Sequence, residues 1–183
     1  MRALQTGTLL VATLGAGLMA GLFAAFAYAV MPGLGRSADR TFVQAMRNIN
    51  RAIINGWFLL PFLLPVPLLL LATVLAWSGP GQAALPWILA ALVLYVAGFF
   101  VTGGVNVPLN NQLDNVPGDA LDNAAWEGSP PGAPAGRPGA LKAARESFEG
   151  RWVTWNIVRA VVHTAAFGTL AWALFLHGTA GTG

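Results

Sequence analysis

Four long blocks of apolar residues decide what this chain can fold into. Their approximate bounds are 4–31, 56–77, 84–105 and 152–176. A helix needs about 20 apolar residues to cross the hydrocarbon layer of a bilayer, and each block is long enough. Since hydrocarbon offers no water to bond the backbone, a spanning segment is expected to be helical. The sequence therefore predicts an all-α fold, an integral membrane four-helix bundle.

The composition agrees with this prediction and excludes several functions. Only 9% of the residues are charged, whereas a soluble domain carries about 25%. The chain has no cysteine and only two histidines, so disulfides, thiolate ligands and a usual zinc site are excluded and no metal site is predicted. The net charge of +3 involves no basic cluster interleaved with aromatic residues, so no nucleic-acid partner is expected. The lipid bilayer is the predicted partner.

Two connections between the blocks are long. Residues 38–55 place apolar side chains on one helical face and polar ones on the other, which predicts an extra amphipathic helix between spans 1 and 2. Asn50 breaks this pattern because it falls on the apolar side. Residues 112–140 are rich in Gly, Pro, Asn and Asp and predict an irregular loop. We interpret residues 1–183 as a single membrane domain.

The basic residues predict the orientation of the bundle in the membrane. The first and third connections carry four each: Arg36, Arg40, Arg47 and Arg51, then Arg137, Lys142, Arg145 and Arg151. The opposite side has only Arg2 and the amino terminus. Because Lys and Arg near the span ends favour the cytoplasmic side, we expect a multi-pass protein with both long loops in the cytoplasm and both termini outside.

The fourth block carries polar residues where hydrocarbon is expected. This polar stripe consists of Glu149, Trp152, Asn156, Arg159 and His163, spaced by three and four residues, so its members share one helical face. An ionised arginine in lipid costs at least about 2.5 kcal/mol, so the stripe is predicted to face the bundle interior or a wet cavity. Each residue alone also has an ordinary structural explanation, such as snorkelling or interfacial anchoring. Their alignment favours a functional site.

Other polar groups are expected at the same end of the bundle. The segment "GGVNVPLNNQL", residues 103–113, places asparagines around Pro108, and the prolyl ring is predicted to break the third helix there. A pocket between helices with a few convergent polar groups is the usual form of a small-molecule site. The predicted pocket residues outside the stripe are Tyr28, Asn50, Asn106, Asn110 and Trp155.

Three motifs carry a family resemblance. In this order, "MRNINRAIIN", "NVPLNNQL" and "WVTWNIVR" resemble the DUF1772 family of four-helix membrane proteins, which includes fungal anthrone oxygenases of polyketide pathways. The resemblance covers nearly the whole chain. It implies an oxidoreductase of the monooxygenase type that converts an anthrone, or a similar polycyclic phenol, with O2 as co-substrate. It also implies that no metal or flavin is needed, and haem is not expected.

The resemblance further implies roles for individual residues. Such an enzyme binds a flat aromatic molecule, removes a proton from it and stabilises the resulting oxyanion. Arg159 and Asn156 would hold the enolate oxygen, with His163 as the first candidate base and Glu149 as the second. The remaining residues would bind the rings and the phenolic rim: Trp152, Trp155, Asn50, Asn106, Asn110 and Tyr28.

Two other functions stay open at this stage. The scarcity of acids and bases within the spans favours a non-enzymatic membrane protein: a transporter, a lipid-binding module or a subunit whose stripe binds a partner helix. A haem or metal redox protein is the weaker alternative. His163 and His177 lie about 21 Å apart along one helix, so they cannot share a metal ion within a monomer. A homo-oligomer is also compatible with the sequence.

Overall fold

The computed structural model describes residues 1–77, 81–116 and 139–180. Every regular element in these ranges is a helix, so the predicted all-α class is confirmed. We number the helices α1 to α5: Arg2–Leu34, Asp39–Ala52, Gly56–Trp77, Gln82–Asp114 and Ala140–Thr179. All except α2 are long and apolar enough to cross a membrane. Most of the predicted irregular loop lies outside the described residues, but 112–114 belong to α4 rather than to a loop.

The four long helices run alternately up and down, with α5 packed along both α1 and α4 and α3 packed between those two. The beginning of α1 and the end of α5 lie at one end of the bundle, where the Arg2 guanidinium donates to the carbonyls of His177 and Gly178 at 3.4 and 3.1 Å. Apolar side chains such as Leu9, Leu69 and Leu170 fill the adjoining half of the core. The predicted site residues lie towards the opposite end.

Helix α5 is longer than a bilayer requires. Its 40 residues extend about 60 Å at 1.5 Å per residue, roughly twice the thickness of the hydrocarbon layer. The amphipathic helix α2 packs on the projecting part, where the rings of Phe42 and Phe148 lie 6.1 Å apart. Arg145 reinforces this contact, because its guanidinium donates to the Ser37 carbonyl at 2.8 Å and to the Asp39 carboxylate at 3.0 Å.

Two of the spanning helices contain a π-helical turn, Phe26–Val30 in α1 and Thr102–Asn106 in α4. Each turn ends immediately before an X-Pro pair. The N–H of Val107 bonds to the carbonyl of Thr102, five residues back, and this wider turn leaves room for the Pro108 ring. The predicted break at Pro108 is therefore wrong, because the helix continues to Asp114.

The prolines of α3 interrupt this helix in its first half. The helix is interrupted at Leu64, and since Pro65 has no N–H, the carbonyl of Pro61 loses its usual helical partner. The buried Tyr95 hydroxyl lies 2.9 Å from that carbonyl and can donate to it. Next to the interruption, α1 approaches closely at Gly15, where an added Cβ would lie 2.9 Å from the Pro65 ring. The first half of α3 is thus held against α1.

Candidate functional site

The polar stripe of α5 faces the interior of the bundle, as predicted. Trp152, Asn156, Arg159 and His163 are all buried, and the side chains of Asn156 and His163 are fully enclosed. Glu149, the first member of the stripe, lies above the others in the projecting part of α5. Its carboxylate accepts a hydrogen bond from Arg145 Nε at 2.7 Å. Burial of the stripe removes the cost of exposing an arginine to lipid.

A cavity of about 300 Å³ lies beside the stripe at the α2 end of the bundle, within the size range of about 300–1,000 Å³ for small-molecule sites. All five helices contribute to its wall, which is mostly apolar. The aromatic side chains in the wall are Phe23, Phe26, Phe58, Phe62 and Trp152. The polar ones are Asn50, Arg51, Thr102, Asn110, Asn111, Asp114 and Arg159. The wall therefore combines aromatic faces with a few polar groups, as small-molecule sites usually do.

Arg159 brings a buried positive charge to this cavity. Its Nε donates to Asn156 Oδ1 at 3.0 Å, and its Cζ lies 4.2 Å from the centre of the Phe23 ring and 5.1 Å from that of Trp152. No carboxylate of the described residues forms an ion pair with Arg159. Two aromatic faces partly stabilise the cation, and its Nη donors have no protein acceptor in the described chain. The arrangement is suited to an anionic or strongly polarised oxygen of a ligand.

Asparagines hold this cationic group in place. Asn156 Nδ2 donates to the carbonyl of Phe23 at 3.0 Å, which ties α5 to α1. Trp152 Nε1 donates to Asn110 Oδ1 at 2.7 Å, and Asn106 Nδ2 donates to the carbonyl of Trp152 at 3.3 Å. Asn106 and Asn156 lie behind the cavity wall, whereas Asn110 is part of it. These amides therefore orient Arg159 and Trp152 from outside the cavity or from its edge.

Two polar groups of the wall face the cavity from α2 and α4. Asn50 is 8% exposed, and its Nδ2 has no hydrogen-bond partner. Asp114 Oδ1 lies 3.6 Å from the Nε atoms of both Arg47 and Arg51. A buried amide donor without a partner is costly, so a ligand acceptor at Asn50 would stabilise the site.

Asp114 and the phenylalanines of the wall were not among the residues predicted from the sequence. Asp114 could have been found, because it follows Asn110 by four residues and so shares its helical face. Phe23, Phe58 and Phe62 give no such signal, since an aromatic residue in an apolar span has the same pattern whether it faces lipid, core or cavity.

His163 lies beside the cavity but is not part of its wall. Its ring packs between Phe23 and Tyr95, with centroid distances of 4.9 and 4.8 Å. The Nδ1–H donates to the carbonyl of Arg159 at 2.7 Å, and Nε2 has no partner. Gly98 of α4 makes room for this ring, because an added Cβ there would overlap it.

Three other predicted residues also lie outside the wall. Glu149 is bound by Arg145. Tyr28 is 74% exposed on the outer surface of α1, because Phe26, two positions earlier, occupies the cavity side. Trp155 is partly exposed, since it is turned away from the Trp152 face of α5. Among the described residues, no group of three or more His, Asp or Glu is placed to hold a metal ion.

Comparison with known proteins adds a family. The sequence model of a family described as anthrone oxygenase matches residues 52–169. This range contains α3, α4 and most of α5, and with them Asn110, Trp152 and Arg159. No curated protein and no solved structure matches the chain.

Proposed function

The chain belongs to the anthrone oxygenase family, and we propose that it is a membrane oxygenase that oxidises an anthrone or a similar polycyclic phenol with O2. The observation that carries the proposal is the buried Arg159 guanidinium, which lines an aromatic cavity and has no counter-charge among the described residues. A ligand that becomes an enolate inside the cavity would supply that charge. Membrane helices around the site suit a substrate of low polarity.

The proposed reaction needs one O2 for each substrate molecule. Removal of one proton from the methylene carbon of an anthrone gives an electron-rich enolate, and this anion can transfer electrons to O2 itself. A carbon–oxygen bond forms at the same carbon to give a hydroperoxide after protonation. Loss of the second hydrogen of that carbon and cleavage of the O–O bond then give the quinone carbonyl and one water. We therefore propose O2 as co-substrate without a resident cofactor.

The chain's own contribution is to bind and to stabilise charge. Arg159 Nη groups would donate to the enolate oxygen, with Asn156 fixing the guanidinium, in the manner of a preorganised oxyanion site. Phe23 and Trp152 would pack against the ring system. Asn50 would donate to a phenolic or carbonyl oxygen at the other end of the cavity.

Two residues compete for the role of base. In an anthrone, the carbonyl and the acidic methylene lie on opposite edges of the middle ring. If Arg159 holds the oxygen, the methylene points away from Arg159, towards the rim of the cavity where the Asp114 carboxylate lies. His163 hydrogen-bonds to the backbone of Arg159 and lies behind the Phe23 ring. We propose Asp114 as the base, and His163 stays the alternative from the sequence.

Binding without reaction is the second candidate function. Asp114 lies near two arginines, Arg47 and Arg51, and in a carrier its carboxylate would serve only as their ion-pair partner. A carrier for the same flat, enolisable molecules would use the same cavity and the same Arg159, so the two functions differ in turnover and not in the binding site.

The test is oxygen uptake by purified protein in detergent, offered a panel of hydroxylated anthrones, with quinone formation followed by absorbance. We expect one O2 consumed per quinone. Arg159→Leu should lower kcat by about 100-fold or more, as loss of an oxyanion donor does. Arg151→Leu, a change of an exposed arginine on the same helix, is the matched control and should have no effect.

Further variants separate the roles. Asp114→Asn should lose turnover but keep ligand binding, whereas His163→Gln should keep turnover if it folds. The reverse result would make His163 the base. Binding of the anthrones without O2 uptake would support the carrier, and equal uptake by wild type and a folded Arg159→Leu would refute the proposed site.

A further inference from the structure

The wall of the cavity reaches the membrane-facing surface of the bundle. Leu59 and Leu63 of α3 line the cavity and also line a groove on the outer face, together with Leu60, Leu64 and Pro67. On the other side of the cavity, Val107 of α4 belongs to the wall and is 43% exposed. Between these two helices, residues of the cavity wall are therefore also residues of the lipid-facing surface.

The course of α3 explains why an opening lies here. The interruption at Leu64 and the close packing of Gly15 against Pro61 and Pro65 hold the first half of α3 against α1. Further from the α2 end, α3 and α4 are joined by the stacked rings of Phe62 and Phe99, whose centroids lie 5.0 Å apart. Phe62 also belongs to the cavity wall, and nearer the α2 end the segment Gly56–Leu63 makes little close backbone contact with α4.

The residues that flank this region lie about two turns inside their apolar helices. Leu63 lies roughly 10 Å along the axis from Gly56, the first residue of α3, and Val107 lies roughly 10 Å from Asp114, the last residue of α4. Both flanking side chains are apolar, as a lipid-facing position requires. The end of the cavity towards the membrane surface differs in chemistry, because Asn50, Arg51 and Asp114 make its wall polar.

From this geometry we propose that the cavity exchanges its ligand with the hydrocarbon of the bilayer, through the opening between Leu59 and Leu63 on α3 and Val107 on α4. The proposal rests on the proposed function for the identity of the ligand, and it narrows its class. The ligand enters as a neutral, flat, membrane-partitioned ketone or phenol and becomes an anion only beside Arg159. Glycosides and carboxylic acids of the same ring system are excluded, since their charge or hydration keeps them out of hydrocarbon.

The test measures the rate of ligand entry in protein reconstituted into phosphatidylcholine vesicles. The probe is a fluorescent hydroxyanthraquinone, which resembles the proposed product and needs no turnover. Val107→Trp and Leu63→Trp narrow the opening with a large apolar side chain. Val93→Trp, at an exposed apolar position of α4 outside the cavity wall, is the matched control, and Asn111→Trp narrows the end of the cavity near the membrane surface.

We expect Val107→Trp and Leu63→Trp to slow both association and dissociation by about tenfold while the Kd changes little, as a narrowed gate does. Val93→Trp should leave both rates unchanged, and Asn111→Trp, which alters the cavity wall itself, should slow exchange less than the two opening variants do. Association should also follow the mole fraction of probe in the lipid and not its total concentration. Slowing by Asn111→Trp alone, or no slowing by any variant, would overturn the entry route.

Failure of the entry route and failure of the proposed function give different results. If the probe binds through the opening but no anthrone is oxidised, the proposed entry route is supported and the proposed oxygenase activity is refuted. If anthrones are oxidised while the opening variants bind the probe as fast as wild type does, the proposed oxygenase activity is supported and the proposed entry route is refuted. If the probe binds to no variant and not to wild type, both are overturned.

Discussion

His163 and Gly98 form a matched pair across the contact between α5 and α4. The imidazole occupies the space that a side chain at position 98 would need, and its Nδ1–H donates to the backbone of its own helix. A glycine in the middle of a helix is unfavourable by about 0.5–1 kcal/mol relative to alanine. At position 98 a glycine is needed, because the His163 ring packs directly on the α4 backbone.

We therefore predict that Gly98→Ala lowers the free energy of unfolding by about 1–3 kcal/mol, since it overpacks a full site. Thermal unfolding in detergent is the measurement. Gly103→Ala is the control on the same helix, because nothing lies within 4 Å of its added Cβ. Combining Gly98→Ala with His163→Ala should recover part of the loss, and strictly additive effects would show that the two residues do not share the space.

At the scale of single residues, the sequence predicted the charged part of the site better than its apolar part. Arg159 and Asn156 were predicted to face inward because a guanidinium and an amide are costly in lipid, and both are buried. Nothing in the sequence distinguishes Phe23 from a lipid-facing phenylalanine, so the ring that contacts Arg159 could not be found. Tyr28 was predicted to line the pocket, but it lies within the π-helical turn two positions after Phe26, and the Phe26 side chain takes the cavity side.

At the scale of elements, the π-helical turn of α4 sets which residues reach the cavity. It inserts one residue into the α-helical register just before Val107 and Pro108, so Asn110 and Asp114 point to the cavity. The break predicted at this proline was wrong because local sequence rules score a proline against an ideal α-helix, and the wider turn removes the clash. The hydrophobic blocks predicted the spans themselves correctly, but not their last turns.

Deleting Gly104 tests the role of this turn. With one residue fewer, the segment beyond it turns by about 100° relative to the first part of α4, so Asn110 loses Trp152 and Asp114 leaves the cavity. We expect circular dichroism to show unchanged helix content and binding of the hydroxyanthraquinone to be lost. Gly104→Ala keeps the residue count and has open space around its Cβ, so it should bind normally. Normal binding by the deletion variant would contradict this account.

At the scale of the whole molecule, the class and the number of spanning helices follow from hydropathy alone, because a spanning helix cannot avoid a long apolar run. The arrangement of the helices relative to one another does not follow from hydropathy, since the outer faces of all four spanning helices are apolar. The central place of α5 became visible only from its contacts with α1 and α4. Its polar stripe was the one hint, because the helix with the most inward polar groups needs the most neighbours.

The orientation in the membrane is a prediction at the same scale, and the natural absence of cysteine makes it simple to measure. Ala38 and Ala83 are exposed at opposite ends of the bundle, so each is replaced by cysteine in turn. The arginines near Ala38 should keep that end in the cytoplasm. A membrane-impermeant maleimide on intact cells should therefore label Ala83→Cys at once and Ala38→Cys only after lysis. The opposite pattern would reverse the topology.

The contact between Arg159 and Phe23 also has a consequence for how the chain is made. Helix α1 leaves the ribosome before α5, and an arginine within an inserting helix costs up to about 2.5–3.5 kcal/mol. Phe23 is then already in the bilayer. Its carbonyl accepts the hydrogen bond from Asn156, and its ring packs against the Arg159 guanidinium. The earliest segment thus acts as an internal insertion partner for the latest, and a chain that begins after α1 would have to insert α5 without it.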